Sequence, residues 1–569
     1  MARMKHSGSP FSIAHALRAV FEELSLRRTH SLAQRRAFHD YFVTHLPSSS
    51  LSPDRGSAPS PHKLPRNESK PHSGPTRSAT QVAQARDTTI VRIPIKSAKH
   101  HFGAGVDRGS RPYNEDTYQA GTIEIPAFAK RQAISLTRKR GGKGGDTDGE
   151  AQSASGESGD PQVFYFGVFD GHGGNECSEF LRDRLHGYVE EAAVLFGMES
   201  SLQKRSGGED GEGEVDSEGG VMGEMDAEDL QKSLVSDWKE TVGGYFKRFK
   251  PEWFPAVAAT APEAPSTVNN SSIQTVLTYA FLKADLDFTK AQASKHTEDP
   301  QDKQQSSVDD PVLDDRPLNM DDVLFNPGRE ASQNLRHRPS ARGSSPNLDN
   351  PIGGQKRFKG GSTASVALIS TPTPTPFWHP ASPSTLIAAH VGDTRILLCR
   401  TEDGKAVPLT TDHHPSAPVE ATRLRRYAGA FVTDSFGEER ILCLANTRAF
   451  GDIRSKRIGV SAEPQITTAH IQPAEHSFVV LVSDGVSGHL TDQEVVDIVK
   501  EAKTPAQASQ DLVNFAVEVN PDDADNATAL VVRLGGWERR SEGGGGSMGT
   551  KEQRQYRRNE AMDPRSRRQ

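Results

Sequence analysis

Acidic residues stand at the ends of this chain's apolar runs, and they are the residues whose types and spacing could do chemistry. Val163–Phe169 runs into Asp170-Gly171-His172-Gly173-Gly174, Thr385–Val391 into Gly392-Asp393, and Phe478–Val482 into Ser483-Asp484-Gly485. Asp525-Asn526 immediately precedes Ala527–Val532, and Asn114-Glu115-Asp116 follows Arg111. Carboxylates packed together repel, and burying them unpaired is costly. A hard divalent cation makes such a cluster tolerable. Carboxylate oxygens, a backbone carbonyl and water suit Mg²⁺ or Mn²⁺, and the His/Cys set that zinc prefers is missing. Glycine after Asp170 and Asp484 lets the backbone approach a cation closely, with its carbonyl available as a ligand. Singly, each motif is a turn signal, His172 an ordinary satisfied histidine and Arg111 a solvated charge. The inference rests on their joint order.

For these acids to meet, the elements carrying them must share an edge. The runs Val163–Phe169, Thr385–Val391, Phe478–Val482 and Ala527–Val532 are short and rich in β-branched or aromatic residues, as strands are. Antiparallel pairing brings the end of one strand beside the beginning of its neighbour, so the acids can converge. Two stretches have helical periodicity. In 273–284, Ile273, Val276, Leu277, Ala280, Phe281 and Ala284 form one face, and 175–196 repeats the pattern from Phe180 to Phe196. Thr491 with Glu494, and Thr504-Pro505 with Gln507, are capping boxes that start two more helices. The class expected is α+β, with helix faces laid against sheets.

The composition is that of one core diluted by polar insertions. Of the 569 residues 34% are hydrophobic, against roughly 45–50% for a globular chain on a slightly broader count. Mean hydropathy is -0.63. A single domain over 90–535 is expected, interrupted by disordered insertions at 136–160, 199–229 and 290–357, after a linker at 47–85 and before a disordered tail at 538–569. A net charge of -7 does not point to nucleic acid. Three cysteines are too few for a disulfide framework or a zinc site. No apolar run approaches the ~20 residues of a membrane span. Residues 1–21 are basic, free of Asp and Glu, and have an apolar helical face, so 1–46 is a candidate mitochondrial targeting segment. The alternatives are a surface helix and a cytoplasmic location.

The ordered set of motifs resembles the metal-dependent serine/threonine protein phosphatases of the PPM family (type 2C). It comprises Arg111-Pro-Tyr-Asn-Glu-Asp116, Phe166–Gly174 with its Asp-Gly-His-Gly-Gly, Gly361-Ser-Thr-Ala364, Val391-Gly-Asp-Thr-Arg395, Thr447-Arg-Ala-Phe-Gly-Asp452, Val482-Ser-Asp-Gly-Val486 and Asp525-Asn526. The resemblance implies two antiparallel sheets packed as a sandwich and flanked by antiparallel helices, with metals in a cleft at one end. It implies that Asp170 bridges two Mg²⁺ or Mn²⁺ ions. Asp484 and Asp525 complete the first, the Gly171 carbonyl and Glu115 through water serve the second, and Asp116 stands behind them. Metal-activated water would attack phosphorus directly, with no covalent intermediate. Arg111 would hold the phosphate oxygens and His172 would protonate the Ser/Thr leaving oxygen. No organic cofactor is expected, the partner is a phosphoprotein substrate, and the chain should act as a monomer.

Three positions depart from the family pattern. Ser487-Gly488 replaces a Trp-Asp pair whose Asp helps a residue matched by Asp393 to hold a third, weaker metal. His390 replaces a common Asn. With the basic N-terminus, these departures resemble the family's mitochondrial branch in fungi. Competing readings are a pseudophosphatase binding module, disfavoured by retention of the acids, a small-phosphoester hydrolase, and a scaffold.

Overall fold

The computed structural model describes residues 41–47, 88–94, 101–130, 160–202, 227–258, 272–293, 295, 352–373, 375–424, 432–433, 439–440, 444–519, 524–540, 552 and 555–559. Most of each expected insertion, the 47–85 linker and all but the end of the 1–46 targeting segment lie outside them. The edges of the insertions are structured, since helices begin at Ala227 and run to Ala293. Tyr41–Pro47 and Thr88–Pro94 pair as an antiparallel two-stranded ribbon.

Ten strands make the body: β1 Phe102–Asp107, β2 Thr117–Ile123, β3 Val163–Phe169, β4 Ala364–Ser370, β5 Ser384–Val391, β6 Arg395–Arg400, β7 Ala406–Pro408, β8 Gln465–Ile471, β9 His476–Val482 and β10 Ala527–Arg533. One five-stranded sheet has the order β8-β5-β4-β3-β2, the other β7-β6-β9-β10-β1. All their pairings are antiparallel. Between the sheets, Phe164, Phe166 and Val168 of β3 and Ile369 of β4 share a cluster with Leu398, Leu481, Leu530 and Val532. Each such fully buried side chain is worth roughly 1.5–3 kcal/mol.

Helices cover the outer faces. The alternate β3 residues Val163, Tyr165 and Phe169 pack with α1 (Glu176–Leu195), α2 (Ala227–Thr241) and α3 (Ile273–Ala293). On the other side Val480, Val482 and Val531 pack with α4 (Asp492–Glu501) and α5 (Pro505–Val519). With both faces covered, all seven residues of β3 are buried, which is why it reads as an uninterrupted apolar run. The observed α+β sandwich with flanking helices is the expected fold.

Both capping signals operate. Thr491 and Glu494 form a complete box at α4. At α5 the Gln507 amide donates to Thr504 Oγ1 at 3.2 Å, but the Gln507 side chain accepts from Lys503 N, one residue earlier than a box requires.

Of the tail expected to be disordered, residues 538–540, 552 and 555–559 are described, and the rest lies outside the described residues. Arg540 donates to the carbonyls of Lys500 and Ala502, at 3.1 and 2.7 Å, satisfying acceptors that the end of α4 leaves open. Residues 555–559 are helical; Arg557 donates to the His489 carbonyl at 2.8 Å and Arg558 pairs with Glu518 at 2.7 Å. Arginine-rich composition reads as solvated, yet carbonyls and carboxylates on α4, α5 and the loop before them receive it.

Candidate metal centre

Strand register places the acids at one end of the sandwich. Thr117 faces Phe169, Val391 faces Ala364, and Val482 faces both Arg395 and Ala529. Asp116 therefore stands immediately before β2, beside Asp170, which immediately follows β3. Asp393 and Asp484 stand two residues beyond β5 and β9, and Asp525 two residues before β10. Carboxylate oxygens of Asp170, Asp393 and Asp484 come within 4.8 Å of one another. Asp393, expected at a weak third site, thus belongs to the same cluster as Asp170 and Asp484.

The electrostatics are those of a site short of positive charge. Burial pushes the carboxyls of Asp170 and Asp484 well above the usual range; repulsion from Asp116 and Asp393 adds to it at Asp170, and repulsion from Asp170 and Asp393 adds to it at Asp484. Burial and the neighbouring Asp484 push Asp116 up to about 7. Burial also raises Asp393, but His414 and Asn446 outweigh it and leave the group below its ordinary value. Both oxygens of Asp116, and Oδ1 of Asp393, are buried with no hydrogen-bond partner among the described residues. An all-oxygen cluster with orphaned acceptors fits Mg²⁺ or Mn²⁺.

Other expected ligands line the rim. Gly171 could not be replaced: a Cβ there would lie 2.5 Å from the Glu115 carbonyl oxygen. Glu115 Oε1 accepts from the Gly174 amide at 2.5 Å, and burial raises its carboxyl. Asp525 pairs with Arg111 at 2.7 Å, both half-exposed, so the structure brings these two together outside the tight cluster. Asn526 ties the loop down, accepting from Glu115 N at 2.8 Å and donating to the carbonyls of Arg108 and Tyr113 at 3.0 and 3.1 Å.

His172 carries a partner that reasoning from sequence did not assign. Its Nε2 lies 2.9 and 3.0 Å from the two carboxylate oxygens of Asp452. Burial alone would lower this imidazole, but the carboxylates of Asp452, Asp393 and Glu115 raise it to about 9. Asp452 sits at the end of the quoted Thr447–Asp452 motif, but no apolar strand precedes it, so the rule that found the other acids passes over it. His390 also acquires a role. Its ring stacks on His413, centroids 4.8 Å apart, and His413 Nδ1 accepts from the Gly392 amide at 3.0 Å, seating the turn that presents Asp393.

Comparison with known proteins places the chain in a family. The family model described as "Protein phosphatase 2C" matches residues 287–525. "Protein phosphatase 2C homolog 4" of Schizosaccharomyces pombe is 31% identical over 472 residues, 82% of this chain and 88% of the relative. "Protein phosphatase 1K, mitochondrial" of Xenopus laevis is 37% identical over 153 residues, 27% of this chain and 40% of the relative. The solved serine-threonine phosphatase 2C from Toxoplasma gondii superposes with a TM-score of 0.37 at 17% identity, covering 76% of this chain and 94% of that one. With the Schizosaccharomyces pombe relative 31% identical and aligned over 88% of its length, the chain belongs to the protein phosphatase 2C family and is a protein serine/threonine phosphatase.

Proposed function

We propose that this chain hydrolyses phosphoserine and phosphothreonine on proteins with two Mg²⁺ or Mn²⁺ ions, without a covalent intermediate. The observation that carries the proposal is the meeting of Asp170, Asp393 and Asp484 within 4.8 Å, beside the His172–Asp452 pair. Asp170, Asp484, Asp525 and the Gly171 carbonyl would hold the two cations, with Glu115 reaching in through water and Asp116 behind them. Asp393 is available to a third, weaker cation. When bound, the cations supply a nucleophilic water at neutral pH and charge to balance the phosphoryl group.

The chain's own residues do the rest. Arg111, half-exposed at the rim, presents a planar fork that matches two phosphate oxygens. Asp452 accepts from His172 Nε2–H and holds the ring. The proton delivered to the leaving oxygen then comes from Nδ1 of the imidazolium. A serine or threonine alkoxide leaves poorly, so this proton matters to the rate.

Mitochondrial placement is proposed on two grounds: the basic, acid-free residues 1–21 and the mitochondrial name of the Xenopus relative. Phosphate release from phosphoserine and phosphothreonine peptides and from small phosphoesters, each with Mg²⁺, Mn²⁺ or excess chelator, tests the activity. Peptide hydrolysis that stops in chelator is expected. Undiminished hydrolysis in chelator refutes the cation requirement, and a preference for small esters refutes the substrate class.

A further inference from the structure

Beneath the His172–Asp452 contact lies a charge pair that the proposed reaction does not touch. Asp285 of α3 and Lys456, the last residue of the short helix Ile453–Lys456, have side chains with no solvent exposure. Lys456 Nζ lies 2.5 Å from Asp285 Oδ2 and donates to the Ala449 carbonyl at 2.7 Å. The other carboxylate oxygen, Oδ1, accepts from the Gly451 amide at 2.9 Å. One carboxylate and one ammonium thus grip both limbs of the turn running from Ala449 to Lys456.

Phe450 and Gly451 pair with Ser362 and Gly361, but the backbone beyond them turns in a disfavoured conformation. Gly451 and Asp452 are consecutive left-handed residues, with φ of 69° and 44°. A side chain at Gly451 is impossible as it stands, since a Cβ would meet the Gly360 carbonyl oxygen at 2.6 Å. For Asp452 the left-handed region is disfavoured and persists only where the surroundings over-determine it. The Asp452 amide donates to Gly360 O at 2.9 Å, leaving its carboxylate aimed at His172.

Stability alone is a poor account of a buried ion pair. Desolvation offsets its attraction, and apolar residues of similar volume often serve as well. Apolar residues could not, however, bind the Gly451 amide and the Ala449 carbonyl.

We propose that Asp285 and Lys456 are positioning residues for the phosphatase reaction: their buried pair fixes the left-handed turn at Gly451-Asp452 and so aims the Asp452 carboxylate at His172. The inference rests on the reading of His172 as the acid for the leaving oxygen. It links the middle of a helix, α3, to a catalytic side chain through the turn that carries Asp452.

The test uses the full chain with saturating Mn²⁺ and four forms besides wild type: Asp285→Asn, Lys456→Arg, His172→Gln, and His172→Gln combined with Asp285→Asn. Turnover is measured on a phosphothreonine peptide and on an aryl phosphate, whose leaving group needs little protonation. Asp285→Asn should lower kcat on the peptide by roughly 10–100-fold, the usual loss when an orienting partner is removed. KM should stay unchanged and the aryl phosphate should lose far less. In the His172→Gln background the same substitution should cost no further turnover, because the group it orients is gone. Equal losses on both substrates, or losses that multiply in the double form, would overturn the proposal. If circular dichroism shows Asp285→Asn unfolded, Lys456→Arg enters the same cycle, keeping the charge while displacing the donor. Should His172→Gln itself lose equally on both substrates, the acid reading fails, and the double form still decides whether Asp285 acts through His172.

Discussion

Asp170→Asn should make the metal-free protein more stable while destroying its activity. With carboxylate oxygens of Asp170, Asp393 and Asp484 within 4.8 Å, one pair of charges repels by about 3 kcal/mol at an effective dielectric of ~20. Protonation relieves part of this, because burial and repulsion raise the carboxyls of Asp170 and Asp484. The gain left for the substitution is roughly 1–3 kcal/mol, or a rise of about 2–8 °C in melting temperature for a domain of this size. Asparagine keeps an oxygen for the Asp484 amide, which now lies 3.4 Å from Asp170 Oδ2, so the fold should survive. Saturating Mg²⁺ reverses the order. Wild type gains about 2.7 kcal/mol at a hundred times the dissociation constant, and the variant, short of a ligand, gains less. Differential scanning fluorimetry in chelator and in Mg²⁺ reads both effects. A variant less stable than wild type in chelator, or one that gains as much from Mg²⁺, would refute the account of Asp170 as a cation ligand in a repulsive cluster.

Glu420, 3% exposed and bound at 2.7 Å by both Arg423 and Arg448, gives a pH signature of opposite sign. Burial opposes its ionisation, yet the two arginines hold it at about 2, so its contribution of roughly 3 kcal/mol is full above pH ~4.5 and lost as pH falls through ~2. Glu420→Gln should therefore be less stable than wild type in denaturant at pH 7, with the gap closing in acid; a gap independent of pH refutes this. Gly488→Asp would restore a carboxylate where the family pattern has one, but a Cβ there meets the Asp484 carbonyl oxygen at 2.8 Å. Calorimetry should find at most a weak third cation in wild type and modest strengthening in the variant, and three tight sites in wild type would show another residue in that place. Fusing residues 1–50 to a reporter should direct it to mitochondria, and Arg3, Lys5 and Arg18 changed to Glu should stop it; a cytosolic wild-type fusion removes the placement.

The sequence by itself determined the acids and the central strands that carry them. Val163–Phe169 and Phe478–Val482 are buried on both faces, so their apolar runs announce strand and boundary together, and Asp170 and Asp484 follow from the boundary. Other strands were not legible. Phe102–Asp107 and Thr117–Ile123 are sheet edges, and in the first, Gly103 yields its side-chain space to α5, where a Cβ would meet Ala506 N at 2.2 Å. Such positions obey local packing, which no periodicity records. Ala364–Ser370 is central and wholly buried, but Ser365 and Ser370 cut its apolar run to the four residues 366–369, shorter than the run of Val163–Phe169.

Only the tertiary structure decided which charges meet. Asp452 is 280 residues from His172 and Asp285 is 171 from Lys456, and nothing in local propensity couples either pair. Asp393 joins Asp170 and Asp484 because β3 and β5 flank β4 while β6 carries the chain into the second sheet beside β9. Side-chain type states what chemistry is available. Register and the crossing from one sheet to the other bring the oxygens within reach of a shared cation, because a carboxylate's influence falls off over a few ångströms and chain separation says nothing about distance.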